Sequence, residues 1–596
     1  SPVPTPAIDA LARDGLIFER TFTTNPLTLP AHASLMTGMW PMGHGVRDYK
    51  GDRLGEEQAT IAATLSRLGY RCAAFVSAAV LDHRTGIAQG FSEYDDGSFQ
   101  KFRDKDRKIA ERAGDETLQL ASEWLLRNQG FPFFLWVHLY EPHYPYTPPE
   151  PMRSRYTGDL YSGEVARADS VLQTFFEFLK KNGIYQPSLI TLLSDHGEGL
   201  GDHRESQHGF FVYQSTMHVP WILKLPGNEL SGRTIRQNTS LVDVFPTLLQ
   251  ILQVARSRWP ASIQGRSRYG AIRAAGGASE NSEPFYMESV IPRNDFGWSD
   301  LRAIQQGRFK MIEAPLPELY DLDADPSEGV SLFDNNRSVV LQMRESLKRL
   351  EAKFNRNIQQ TSDADPELQQ RLRSLGYVGL ASGIKTQSRE GLADPKSKIE
   401  TYERVVRATR TQNPSIVIRE LQALAAAEPQ SPLLLTSLAL AYRDTRQPEK
   451  AVEWFSRVIQ RWPDDLFARI QLAQDLLLLG REAEAEKQYQ VILARNPRNF
   501  QALSNLGTMY GRRSRFAEAI DYFTRALSVH EDGAGLRSLA LAQMRSGQWA
   551  AAEKHLLRAL QLDSNDRKAH QQLAELYEET GNKKKADHHA RLAREP

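Results

Sequence analysis

From about residue 395 onward a small side chain returns at near-constant spacing. Ala451, Ala485, Ala519, Ala552 and Ala586 lie 34, 34, 33 and 34 residues apart. Gly480, Gly547 and Gly581 mark one turn position in the same frame, and Pro463 and Pro497 mark another. A period of this length holds two short helices, and a small residue is needed where the two cross closely. About five repeats are visible, with a degenerate sixth near 395–430. The C-terminal third of the chain must therefore be an all-helical stack of pairs, each burying its apolar face on the next.

The first ~350 residues follow another pattern. Phe133-Phe134-Leu135-Trp136-Val137 and Leu189-Ile190-Thr191-Leu192-Leu193 are short apolar runs rich in branched and aromatic residues. They predict central strands of an α/β sheet, with helices between them over Ala59–Leu68 and Gly163–Lys181. Ligands of open α/β sheets bind beyond the carboxyl ends of the strands, where His138 to His143 and Asp195-His196 fall. Residues 353–394 are dominated by Gln, Ser, Asp and Gly and read as a linker. The expected division is thus 1–352, a linker 353–394, and a repeat domain 395–596. Nine of the 14 histidines fall in the first 218 residues, and Cys72 is the only cysteine, so no internal disulfide forms. A net charge of +1 points to neither nucleic acid nor an anionic membrane. No apolar run reaches the roughly 20 residues of a spanning helix.

Thr28-Leu29-Pro30-Ala31-His32 and Ser194-Asp195-His196-Gly197-Glu198 carry the chemistry. A threonine hydroxyl is a poor nucleophile at neutral pH and becomes useful beside a bound metal. Asp195 and His196 supply one carboxylate and one imidazole at a strand end, a donor set that zinc or manganese accepts. By itself Asp-His-Gly equally describes a helix cap beside a core histidine.

Residues 1 to about 340 resemble the sulfatase branch of the alkaline phosphatase superfamily. The resemblance is carried by Thr5-Pro6-Ala7-Ile8-Asp9, Pro30 to Gly38, Gly43-His44-Gly45-Val46, Gly69-Tyr70, Pro142-His143-Tyr144-Pro145, Ser194 to Glu198, Val219-Pro220, Arg302-Ala303-Ile304 and Glu318 to Leu322. The 34-residue frame resembles the tetratricopeptide repeat, with Leu-Gly-x-x-Tyr in Asn505 to Tyr510. Together they imply a sulfatase/alkaline-phosphatase-like α/β domain, a mixed central sheet with helices on both faces, followed by an all-α tetratricopeptide solenoid.

The resemblance also assigns roles. Thr28 takes the nucleophile position and forms a covalent ester, with Thr28, Asp195 and His196 on a divalent metal (zinc, manganese or calcium). His143 and His208 steady the transferring group, His143 also protonating the leaving group. His32, His203 and His138 are second choices, each equally read as structural, and Glu198 orients a ligand histidine or caps a helix. Formylglycine is not expected, because sulfatases make it from Cys or Ser and the signature arginine is here His32. The sulfate-binding lysine of the family is also missing after Gly69-Tyr70. These departures move the expected substrate from a sulfate ester toward a phosphate ester, cleaved by hydrolysis or by transfer to an acceptor alcohol. The family begins with an apolar strand ending in metal-binding aspartates, which Ser1-Pro2-Val3-Pro4 does not supply; the expectation is a truncated sequence. The repeats imply a protein or peptide partner on their concave surface. A non-catalytic sulfatase-like scaffold is the alternative reading. Members of the family are often exported, but this sequence shows neither a signal nor an anchor, so location is open.

Overall fold

A computed structural model describes residues 3–49, 52–96, 112–274, 283–355, 390–411 and 413–594. The chain divides into two compact units, the first reaching Thr411 and the second following it. Within the first unit, helix α1 (Pro6–Asp14) leads into β1 (Leu16–Phe22), and helix α2 spans Thr28–Thr37. The strands that follow are β2 (Arg71–Val76), β3 (Glu93–Asp95), β4 (Phe133–His138), β5 (Ile190–Leu193), β6 (His218–Lys224), β7 (Arg233–Ile235) and β8 (Thr239–Ser240). They form a parallel β3-β2-β4 sheet and a mixed β5-β6-β1-β7 sheet whose β1 also pairs with β8.

The two apolar runs expected as strands are β4 and β5. The helices expected at 59–68 and 163–181 appear as Ile61–Ser66 and Leu160–Lys181. Alternation along β4 and β5 sends their side chains to two cores. Phe133, Leu135, Val137, Ile190 and Leu192 join one around Phe75 and Trp124; Phe134, Trp136 and Leu193 join the other around Phe18 and Trp221. The two strands therefore lie with their faces matched. Among the described strands, however, β4 pairs only with β2 and β5 only with β6, and most of their apolar side chains stay half-buried. A separate antiparallel sheet, β9 (Phe285–Ser289), β10 (Leu301–Gln306), β11 (Phe309–Glu313) and β12 (Glu318–Asp321), packs on the Arg337–Phe354 helix.

The second unit is the helical array. Every alanine of the repeat is buried. Helix starts recur in the same frame: Ser431, Asp465, Asn499, Asp532 and Asp566 each accept a hydrogen bond from a backbone N–H three residues on, at 2.9–3.2 Å. A left-handed turn also recurs, at Arg446, Gly480, Ser514, Gly547 and Gly581. Non-glycine residues pay a steric penalty in that region. Ser514→Gly is expected to stabilise the array by about 1 kcal/mol, read as a higher urea midpoint at unchanged slope. An unchanged midpoint would remove strain from the account of this turn.

One boundary lies elsewhere than expected. The Ile399–Arg410 helix, read as the start of the repeat domain, falls in the first unit. Its apolar Ile399, Val405 and Ala408 are buried. Of the expected linker, 356–389 lies outside the described residues.

Candidate active site

Thr28 opens α2, and His32 lies one turn on along the same helix. His138 ends β4, and Asp195-His196 follows β5, so the carboxyl ends of two strands meet the amino end of a helix. Thr28 Oγ1 is 3.2 Å from His196 Nε2. His196 Nδ1 lies 2.9 Å from the Gly197 carbonyl, which can only accept, so Nδ1 carries the proton. The lone pair on Nε2 therefore faces the threonine hydroxyl. Burial lowers the pKa of His196 and holds it neutral, ready to accept that proton.

His32 Nδ1 donates to the Thr28 carbonyl at 2.8 Å and stands 3.6 Å from Asp195 Oδ2. His32, His138 and Asp195 each offer a ligand atom within 4.8 Å of the others. His138 Nδ1 is buried without a hydrogen-bond partner, so it is open to a Lewis acid. Burial and the neighbouring His32 lower its pKa to about 3, so the ring is neutral. Burial would raise the Asp195 pKa, but the surrounding histidines hold it well below the ordinary carboxylate value. Two imidazoles and one carboxylate are a donor set that fits a divalent metal.

Beyond His196 the site continues as a row of rings. His208 packs 4.1 Å from His196 and 5.0 Å from His143, centroid to centroid. His208 Nδ1 meets Glu198 Oε1 at 3.1 Å; burial alone would lower its pKa, but the Glu198 carboxylate raises it above the ordinary value. His143 goes the other way: burial and the charge of His208 lower it to about 3. Its Nδ1 is taken by the Tyr140 hydroxyl and the Tyr144 carbonyl. The arrangement thus holds a neutral acceptor at Thr28, a three-ligand group beside it, and a cationic donor at His208.

The structure brings together Thr28, His32, His138, Asp195, His196, His143 and His208, but not all in the expected places. His32 and His138, second choices from sequence, group with Asp195 as potential ligands, and His196 Nε2 lies 3.2 Å from Thr28 Oγ1 and 3.5 Å from Asp195 Oδ2. His203 stacks on Tyr213 at 3.5 Å and bonds the Ser327 carbonyl at 3.1 Å, engaged away from this cluster. A Cβ at Gly197 would collide with the Ser215 carbonyl. Tyr140 was missed, since nothing in its sequence context distinguishes it from the tyrosines nearby. Ser77 bonds Thr117 at 2.7 Å in the core.

Known proteins share this architecture. Residues 1–254 match the Sulfatase family, residues 201–353 the family described as N-sulphoglucosamine sulphohydrolase, C-terminal, and residues 410–465 and 470–535 the Tetratricopeptide repeat. The N-terminal part of the chain is therefore a sulfatase-family domain of alkaline-phosphatase-like fold, a family of ester hydrolases. It is carried on one chain with C-terminal tetratricopeptide repeats. An arylsulfatase of Clostridium perfringens is 22% identical over 423 residues, 56% of this chain and 86% of that protein. The multifunctional alkaline phosphatase superfamily protein PehA of Trinickia caryophylli is 24% identical over 450 residues, covering 55% and 85%. The crystal structure of the phosphonate monoester hydrolase of Agrobacterium radiobacter superposes with a TM-score of 0.50 at 22% identity, covering 59% of this chain and 91% of that one. Among the described residues no helix is long and apolar enough to cross a membrane.

Proposed function

We propose that the N-terminal domain cleaves a phosphorus ester, a phosphodiester or phosphonate, in preference to a sulfate ester, through a covalent Thr28 intermediate. The observation that carries this is the Thr28 hydroxyl set against the lone pair of a neutral His196. As Oγ1 attacks phosphorus, its proton passes to His196 Nε2 and the bond to the leaving oxygen breaks. The leaving alkoxide takes a proton from His208, which Glu198 keeps charged; the structure favours His208 over His143 for this role because burial keeps His143 neutral. Water or an acceptor alcohol then displaces Thr28 from phosphorus, the hydrogens moving back along the same groups.

Asp195, His32 and His138 would hold a divalent ion, zinc, manganese or calcium, with Thr28 and His196 at its edge. Bound there, the ion would supply charge for the oxygens of the transferring group and lower the pKa of the Thr28 hydroxyl. The repeats bind a protein or peptide segment on their concave surface.

A panel of aryl phosphodiester, phosphonate ester, phosphate monoester and sulfate, each assayed with added manganese, zinc or calcium, tests the reading. Phosphodiester or phosphonate turnover is expected to exceed sulfate turnover by about tenfold or more, roughly 1.4 kcal/mol of transition-state preference. Dominant sulfatase activity would overturn the reading of Thr28. No turnover together with no metal uptake would leave the scaffold reading.

A further inference from the structure

We infer that the Ile399–Arg410 helix, the last element of the first unit before the repeats, positions the loop that carries His208. Two successive residues of the helix grip the loop on either side of that histidine. Glu403 Oε1 accepts a hydrogen bond from the Ser206 N–H at 2.9 Å. The Tyr402 ring stacks on Phe210, centroids 4.2 Å apart and planes within 17°. Ser206 and Phe210 each stand two residues from His208, so both anchors act through short backbone levers.

The loop depends on such outside support. Between Gly199 and Gly209 it has left-handed residues at Leu200, Gly201, His203, Arg204 and Gly209 and no helix longer than a single turn. Its own bonds, Gly199 N–H to the Gln207 carbonyl at 2.6 Å and Gly201 N–H to the Glu205 carbonyl at 2.8 Å, close the tip but do not orient His208. From below, Glu205 accepts from the Phe210 N–H at 2.8 Å, and Ser289 Oγ donates to the Gly209 carbonyl at 2.7 Å. The outer side belongs to the helix. Phe210 is fully buried in an aromatic box of Phe296, Trp298 and Tyr402, and Tyr402 closes it by stacking. Without that ring the box opens on one side, and the backbone at 206–210 gains freedom that His208 cannot tolerate if it is to meet a transferring oxygen. Tyr402 and Glu403 touch no reacting atom; they are positioning residues.

The consequence for turnover rests on the role of His208 proposed above, whereas the consequence for the loop does not. The full chain and its Tyr402→Ala, Tyr402→Phe and Glu403→Ala variants would be compared by hydrogen exchange with mass spectrometry. The panel substrate that the parent turns over fastest would then be used for kinetics. Tyr402→Ala is expected to speed exchange in peptides covering 199–211 by at least tenfold and leave 28–37 unchanged. Glu403→Ala should act more weakly, centred on Ser206, and Tyr402→Phe, which keeps the ring, should match the parent. In turnover, Tyr402→Ala should lower kcat at least tenfold with KM within about twofold, again restored in Tyr402→Phe. Parent-like exchange at 199–211 in Tyr402→Ala, or a rise spread evenly over the chain in both alanine variants, would overturn the inference. So would a kcat for Tyr402→Ala equal to the parent's. Faster exchange confined to 199–211 in a protein whose parent turns over no panel ester supports the positioning role and rejects the proposed activity.

Discussion

Thr28→Ala is expected to remove turnover of the best panel ester by about 10^4-fold or more, on the scale seen when a covalent nucleophile is deleted. The reason is geometric. Thr28 Oγ1 is the hydroxyl placed 3.2 Å from a neutral imidazole acceptor, at the first residue of a helix whose next turn carries His32. Removing it leaves His196 facing an empty methyl, and a water there must be bound and oriented anew. Thr28→Ser keeps the oxygen and should retain activity within about 100-fold, the loss reflecting freer χ1 rotation without the branch methyl. A rapid-quench experiment should show a burst of aryl alcohol in the parent and in Thr28→Ser, and mass spectrometry a covalent adduct on the 28–37 segment. Undiminished turnover in Thr28→Ala would remove the residue from the mechanism.

Asp195→Asn should lower affinity for manganese or zinc by about 100-fold or more, near 2.7 kcal/mol. The buried group would lose its one anionic ligand, and the two imidazoles left would bind as neutral donors. His138→Ala should act in the same direction, because its buried Nδ1 has no other partner to lose. His203→Ala is the control: with its ring on Tyr213 and its nitrogen on Ser327, it should leave metal uptake unchanged. Titration calorimetry reads all three. Equal affinity in Asp195→Asn and the parent would mean that the ion sits elsewhere or not at all.

What sequence could disclose here depended on distance along the chain. The repeat frame was legible because its signals are local: a buried alanine where two helices cross, a polar cap, a left-handed turn. Strands β4 and β5 were legible because a run of five residues that is apolar, or apolar but for Thr191, between turn formers has few other uses. Thr28 and Asp195-His196 were legible by motif as candidates. The division of labour among histidines was not. His32, His138 and His203 look alike in sequence, and their fates differ by position. His32 is one helical turn from Thr28, His138 ends a strand, and His203 lies in a loop that turns it onto Tyr213. The Ile399–Arg410 helix is a like case, an amphipathic segment that continues the repeat pattern by eye yet buries its apolar face in the first unit.

The sequence by itself therefore determined the two architectures and singled out Thr28 and the strand-end Asp195 as candidates, since each is written in residues adjacent or regularly spaced. Tertiary structure decided which imidazoles gather around Thr28 and Asp195 and which one meets the Glu198 carboxylate. Those outcomes depend on side chains far apart in sequence meeting at the ends of β4, β5 and α2, and on surroundings in which the Glu198 carboxylate raises His208 while burial lowers His143. Neither sheet register nor local dielectric can be read from a chain before it folds.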